Sequence, residues 1–117
     1  MQIYPTYLKL YKFLSKINEI DIPPRPKNFK IVYHLYIVFA EDRDSLLKYC
    51  LKKGIEAKVH YPKPMYLQES LKMLKHKKGD FPETEKQSKR ILSLPVNQFL
   101  KKNEIIYITN LINKFYK

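Results

Sequence analysis

The side chains most able to do chemistry in this 117-residue chain sit in one stretch, Gly54-Ile55-Glu56-Ala57-Lys58-Val59-His60-Tyr61-Pro62-Lys63-Pro64. Imidazole and phenol both hydrogen-bond well to sugar hydroxyls and phosphate oxygens. Strand alternation sends His60 and Tyr61 to opposite faces unless the strand ends there, and two prolines fix the backbone just beyond them. Residue chemistry alone leaves His60 equally readable as a satisfied structural histidine and Tyr61 as a packing residue. The other reactive groups point to less. His34, His60 and His76 lack HExxH-type spacing, so no metal site is expected. No elbow glycines flank Ser45, Ser70, Ser88 or Ser93, and Cys50 falls in a helical apolar stripe, where it reads as a packing residue. Asp80, Glu83 and Glu85 surround a helix start, where carboxylates serve as caps and macrodipole partners.

Recognisable elements position these groups. Tyr7, Leu10, Tyr11, Leu14 and Ile17 recur at helical spacing, with Pro5 suited to the first turn. Residues 21–28 hold Pro23, Pro24 and Pro26 and read as an extended connector, which suggests a division into a docking helix and connector (1–28) and a domain (29–117). Residues 31–40 are nearly continuous apolar and aromatic β-formers and read as a central strand covered on both faces. Asp42 is a plausible N-cap for a helix carrying Leu46, Leu47, Cys50 and Leu51, and Gly54 can close it in the left-handed conformation. Extended residues 55–59 complete a βαβ-like start. Pro64 opens a third helix with Leu67, Leu71 and Leu74 aligned; 76–81 is a polar loop, and Pro82 opens a fourth helix to about residue 91. Ser93-Leu94-Pro95 is short and extended, and residues 103–116 form an amphipathic helix with Ile105, Ile108, Leu111, Ile112 and Phe115 on one face. The expected class is α+β, with helices covering a small antiparallel or mixed sheet.

Composition bounds the function. The length allows one domain, burying roughly two thirds of its unfolded surface. No apolar run approaches the roughly 20 residues of a membrane span, and no signal-peptide succession is visible, so a cytoplasmic, reducing location is expected. With two glycines, Gly54 and Gly79, each assigned to a turn, no glycine-rich phosphate cradle can be built. The net charge of +12 invites a nucleic-acid reading. However, of 23 basic residues only Arg25, Arg43 and Arg90 are arginine, and the 20 lysines are spread along the whole chain. Nucleic acid is therefore not the expected partner.

Several segments, read together, resemble the C-terminal part of the DegT/DnrJ/StrS family of sugar aminotransferases. They are the Gly54-Ile55 turn, His60-Tyr61-Pro62 with Pro64 and Gln68, Gly79-Asp80-Phe81-Pro82-Glu83-Thr84-Glu85, and Ser93-Leu94-Pro95. His34 to Val38 and Arg43 match the strand and helix start that the family places upstream, and the likeness runs over about residues 4–117. It implies the small C-terminal domain of the aspartate aminotransferase fold. Family members are dimeric pyridoxal-phosphate enzymes that move an amino group onto a keto group of a nucleotide-linked sugar, in amino-sugar or surface-polysaccharide biosynthesis. Their large N-terminal domain carries the Schiff-base lysine, the acid on the pyridine nitrogen and the phosphate-binding groups.

That large domain has no counterpart in this sequence. The resemblance thus implies a chain that holds no pyridoxal phosphate and does not transaminate by itself. It further implies a partner in the missing large domain or its separate polypeptide, a nucleotide-sugar substrate met by His60 and Tyr61 with His34 as a further candidate, and a homo-oligomer. The face turned to the large domain should be apolar, involving the first or the last helix. Tyr66 departs from the histidine that related sequences often carry there, and only histidine titrates near neutrality. A non-catalytic interaction or ligand-binding module of the same fold is the runner-up reading.

Overall fold

The computed structural model describes residues 6–117, with side chains from Leu8 onward, so the Pro5 helix start and the Tyr7 side chain lie outside the described residues. Thr6–Lys16 is a 3-10 helix whose buried residues are Leu8, Tyr11 and Leu14, with Ile17 following just beyond its end. That spacing of three matches three residues per turn, which is why Leu8 joins the stripe and Leu10 sits at its margin. The helix packs on the last helix of the chain.

Three strands form the sheet: β1 (Ile20–Asp21), β2 (Tyr36–Ala40) and β3 (Ile91–Leu94). The order is β1-β2-β3 and both pairings are antiparallel, with Ile20 opposite Ala40 and Tyr36 opposite Leu94. β2 is central, as its composition suggests, but is half the expected length. Residues 31–35 have no partner strand, and Ile31, Val32 and His34 are exposed. Only Tyr36, Val38 and Ala40 are fully buried; Ile37 and Phe39 are half covered. Arg25 stacks 4.5 Å over the Tyr36 ring and 5.4 Å from Tyr33, which pins the proline-rich connector to the start of β2.

Helix α1 spans Arg43–Lys52 and buries Leu46 and Cys50. Burial pushes the Cys50 thiol up to about 11, as befits a packing residue. Asp42 occupies the N-cap position but in the left-handed conformation (φ 50°), and its side chain caps nothing. Arg43, buried, instead ties α1 to the rest of the molecule. Its Nη1 donates to the carbonyls of Ser88 and Ile91, both at 2.9 Å, and its Nε donates to Asp44 at 2.8 Å. The two carbonyls lie at the end of α2 (Pro82–Arg90), where the helix presents its negative pole.

Gly54 (φ +82°) turns the chain after α1 as anticipated, and Ile55 N–H returns to the Cys50 carbonyl at 2.8 Å. Residues 55–59 then alternate, Ile55 and Ala57 inward, Glu56 and Lys58 outward. They make one antiparallel bridge, Lys58 with Ser93, rather than a ladder. Because Ser93 also pairs antiparallel with Ile37, residues 55–59 run parallel to β2 with β3 between them. The βαβ-like start is therefore split, and the sheet proper is antiparallel.

The expected third helix is replaced by two 3-10 turns, Met65–Leu67 and Glu69–Leu74, separated by extended Gln68. Neither buries a residue. A helix this short has little stability without a face to pack against. The final helix, α3 (Lys102–Phe115), buries Ile105, Ile108 and Ile112, and Glu104 Oε2 accepts the Lys101 N–H at 2.7 Å at its start. One core unites the 3-10 helix, the sheet, α1 and α3. Within it the Tyr11 hydroxyl donates to the Pro95 carbonyl at 2.7 Å, and its burial raises the phenol well above the ordinary tyrosine range.

Candidate functional site

The left-handed turn at Gly54 and the Lys58–Ser93 bridge together fix where His60 emerges. Ser93 N–H donates to the Lys58 carbonyl at 2.7 Å, and Lys58 N–H returns to the Ser93 carbonyl at 3.0 Å. Two residues on, the half-buried His60 lies over β3, its Nδ1 2.9 Å from Ser93 Oγ. Tyr61 meets the His60 ring edge-on at 5.4 Å and is exposed to 72%. The peptide bond between them is cis.

A cleft of about 300 Å³ opens beside this pair, lined by His34, Glu56, Lys58, His60, Ser93 and Asn97, among others. The structure thus brings His34 and His60 to one cavity, although His34 reaches it from the exposed loop before β2 and not from a buried strand. Tyr61 is not among the cleft residues and stands at the surface next to it. Lys58 Nζ lies 3.5 Å from Glu56 Oε1, both largely exposed, so the cleft offers one cation, one carboxylate and two imidazoles to a polar ligand. Such a set can hold hydroxyl or phosphate oxygens by hydrogen bonding. Among the described residues no group of histidine, cysteine and carboxylate side chains could hold a metal ion.

Beyond Tyr61 a second polar assembly organises residues 65–85. The Glu85 carboxylate accepts from the Tyr66 hydroxyl and from the Gly79 N–H at 2.6 Å. Those two hydrogen bonds hold it below the ordinary carboxylate range. Partial burial, the bond to Glu85 and the nearby charges of Glu85 and Asp80 push the Tyr66 phenol up to about 12. Tyr66 also packs on Phe81 at 4.7 Å, and His76 meets both rings edge-on. Asp80 Oδ2 accepts the Lys77 N–H at 2.9 Å and lies 3.7 Å from His76 Nδ1. Glu85, read from sequence as a macrodipole partner, is thus the anchor of the preceding loop.

Ser93 is the site residue that sequence reasoning missed. Its signal was a hydroxyl in the otherwise apolar run Ile91-Leu92-Ser93-Leu94, since a polar group at a buried strand position needs a partner.

Known proteins resemble the chain over most of its length. The sequence profile of the DegT/DnrJ/EryC1/StrS aminotransferase family matches residues 1–113. A pleiotropic regulatory protein of Geobacillus stearothermophilus is 33% identical over 113 residues, which is 96% of this chain and 30% of that protein. A dTDP-3-amino-3,4,6-trideoxy-alpha-D-glucose transaminase of Streptomyces venezuelae is 26% identical over 102 residues, 87% of this chain and 27% of the enzyme. In fold, the crystal structure of S. venezuelae DesV in complex with a ketimine intermediate superposes with a TM-score of 0.87 at 23% identity, covering 95% of this chain and 30% of DesV. The chain spans about three tenths of the length of these relatives.

Proposed function

Since the chain belongs to the DegT/DnrJ/EryC1/StrS aminotransferase family, we propose that it is the small C-terminal domain of a pyridoxal-phosphate-dependent nucleotide-sugar aminotransferase. In this reading it contributes substrate contacts while another domain or polypeptide supplies the cofactor site. The observation that carries it is the meeting of His34 and His60, far apart in sequence, on one polar cleft beside Tyr61.

A Schiff-base lysine must be desolvated to act as a nucleophile, and all 20 lysines of this chain are exposed. The residues present therefore do not fit the cofactor, and no step of a transamination is assigned to them. Their part is to bind and orient: imidazole and phenol hydrogen-bond sugar or phosphate oxygens. The groove of about 440 Å³ between the 3-10 helix and α3, with Phe13 and Ile106 exposed at its rim, is the apolar face this reading gives to the large domain. Dimerisation would come through the complete assembly.

Titration calorimetry of the 117-residue chain with dTDP-glucose tests the substrate contact. Binding that weakens roughly tenfold in His60→Ala, the loss of about one good hydrogen bond, supports it. Absence of any binding by the unaltered chain overturns it.

A further inference from the structure

We propose that Ser93 is a positioning residue that sets the tautomer of His60, so that the neutral ring carries its proton on Nε2 and offers an N–H donor to a ligand oxygen. The proposal rests, for its ligand, on the cleft being a nucleotide-sugar contact; the tautomer itself does not depend on that reading.

Ser93 is held from both sides. Its backbone pairs with Ile37 of β2 and, through two reciprocal hydrogen bonds, with Lys58. The residue is only 4% exposed, and among the described residues its hydroxyl has His60 Nδ1 as its hydrogen-bond partner, at 2.9 Å. The other acceptor side chains of the cleft pair elsewhere, Glu56 with Lys58 and Asn97 Oδ1 with the Phe99 N–H at 2.8 Å, and neither bonds the Ser93 hydroxyl. A serine hydroxyl carries one proton, and a buried donor left unmade is costly. If Nδ1 held the proton and donated it to Oγ, the serine proton would lack an acceptor. If Ser93 donates to Nδ1, both the serine proton and the Nδ1 lone pair are satisfied. Nδ1 is then the unprotonated nitrogen and Nε2–H is the free donor.

The consequence concerns the ligand. A fixed N–H donor selects an acceptor oxygen, of a diphosphate or of the sugar, and disfavours an ammonium group. With Ser93 removed the ring would populate both tautomers, and part of the population would face the oxygen with a lone pair.

Two-bond nitrogen–proton correlation spectra of chain labelled at histidine nitrogens read the tautomer directly, at about pH 8.5 where an ordinary histidine is neutral. The unaltered chain should show Nε2–H, Ser93→Ala a mixture, and Ser93→Thr, which keeps the hydroxyl on a β-branched side chain, Nε2–H again. A proton on Nδ1 in the unaltered chain, or the same tautomer in Ser93→Ala, overturns the proposal, and the first of these needs no variant to fold. Binding of dTDP-glucose should weaken roughly three- to tenfold in Ser93→Ala and recover in Ser93→Thr. A parallel titration with dTDP locates the acceptor, since an equal loss points to the diphosphate and no loss to the sugar. Should dTDP-glucose fail to bind the unaltered chain while the tautomer follows Ser93, the nucleotide-sugar reading falls and the positioning role stands.

Discussion

Two regions of the chain are stabilised in opposite ways. The body, formed by the 3-10 helix, the sheet, α1 and α3 with the adjoining Ile17, Ile55, Ala57 and Leu100, contains every buried apolar residue among those described, with Tyr11, Val38, Leu46, Leu92, Ile105 and Ile112 at its centre. The arm, residues 59–90, contains none. Yet the arm is not polar: Tyr61, Met65, Met73, Leu74 and Phe81 are all exposed on it. What orders the arm is a knot of local hydrogen bonds and rings around Glu85 and the short turns at Pro64 and Pro82, with Arg43 of the body holding the end of α2 through the Ser88 carbonyl. Apolar side chains at helical spacing specify a helix only where another surface receives them, and the body supplies such a surface to α1 and α3 but not to Leu67, Leu71 and Leu74.

The largest effect should come from the body. Ile105, fully buried on α3, is a site where truncation leaves a cavity in the shared core. Ile105→Ala is expected to cost about 2–5 kcal/mol of unfolding free energy, read from urea denaturation followed by circular dichroism. A loss under about 1 kcal/mol would mean the core relaxes freely and would erase the contrast with the arm.

How much of this was legible from sequence follows the same division. The limits of α1 and α3 and the turn at Gly54 were readable because each apolar stripe finds a partner in the body. Residues 31–35 misled because β-forming side chains need a strand beside them, and β3 is only four residues long. The 3-10 period of residues 8, 11, 14 and 17 was hidden by its overlap with α-helical spacing at 7, 10, 11 and 14. For the site, the exit of His60 beyond a turn and before two prolines was local information. Its meeting with His34 and Ser93 was not, because it depends on β3 inserting between β2 and residues 55–59. Long-range pairing of that kind leaves no mark in local periodicity.

Acid and alkali should act on the arm from opposite sides. The Glu85 carboxyl has a lowered value when folded, so its contribution is complete above its ordinary value of 4.5 and is lost as pH falls below that. The Tyr66 phenol is raised to about 12, so its contribution is complete below 10 and is lost as pH climbs between 10 and about 12. Hydrogen exchange at the Gly79 amide should therefore lose protection on acidification, and Glu85→Gln should remove that acid dependence while leaving the unfolding midpoint of the body in place. An ultraviolet titration should find one late-ionising tyrosine moved toward its ordinary value in Glu85→Gln, because a neutral amide no longer opposes the phenolate while partial burial still raises it. A drop in the body's midpoint would show that arm and body unfold together.

The smallest effect is expected at Met73, which is 77% exposed. Met73→Ala removes three heavy atoms, as many as Ile105→Ala, but from a place where folding withdraws little area from water. Unfolding free energy should then change by no more than about 0.5 kcal/mol. Equilibrium sedimentation gives the second half of the measurement. If the arm's apolar residues serve contact with another copy or another domain, Met73→Ala weakens association at unchanged stability, since the cost of truncation then falls on the interface and not on the fold. A stability loss comparable to that of Ile105→Ala would place Met73 in the core and remove the distinction between the two regions.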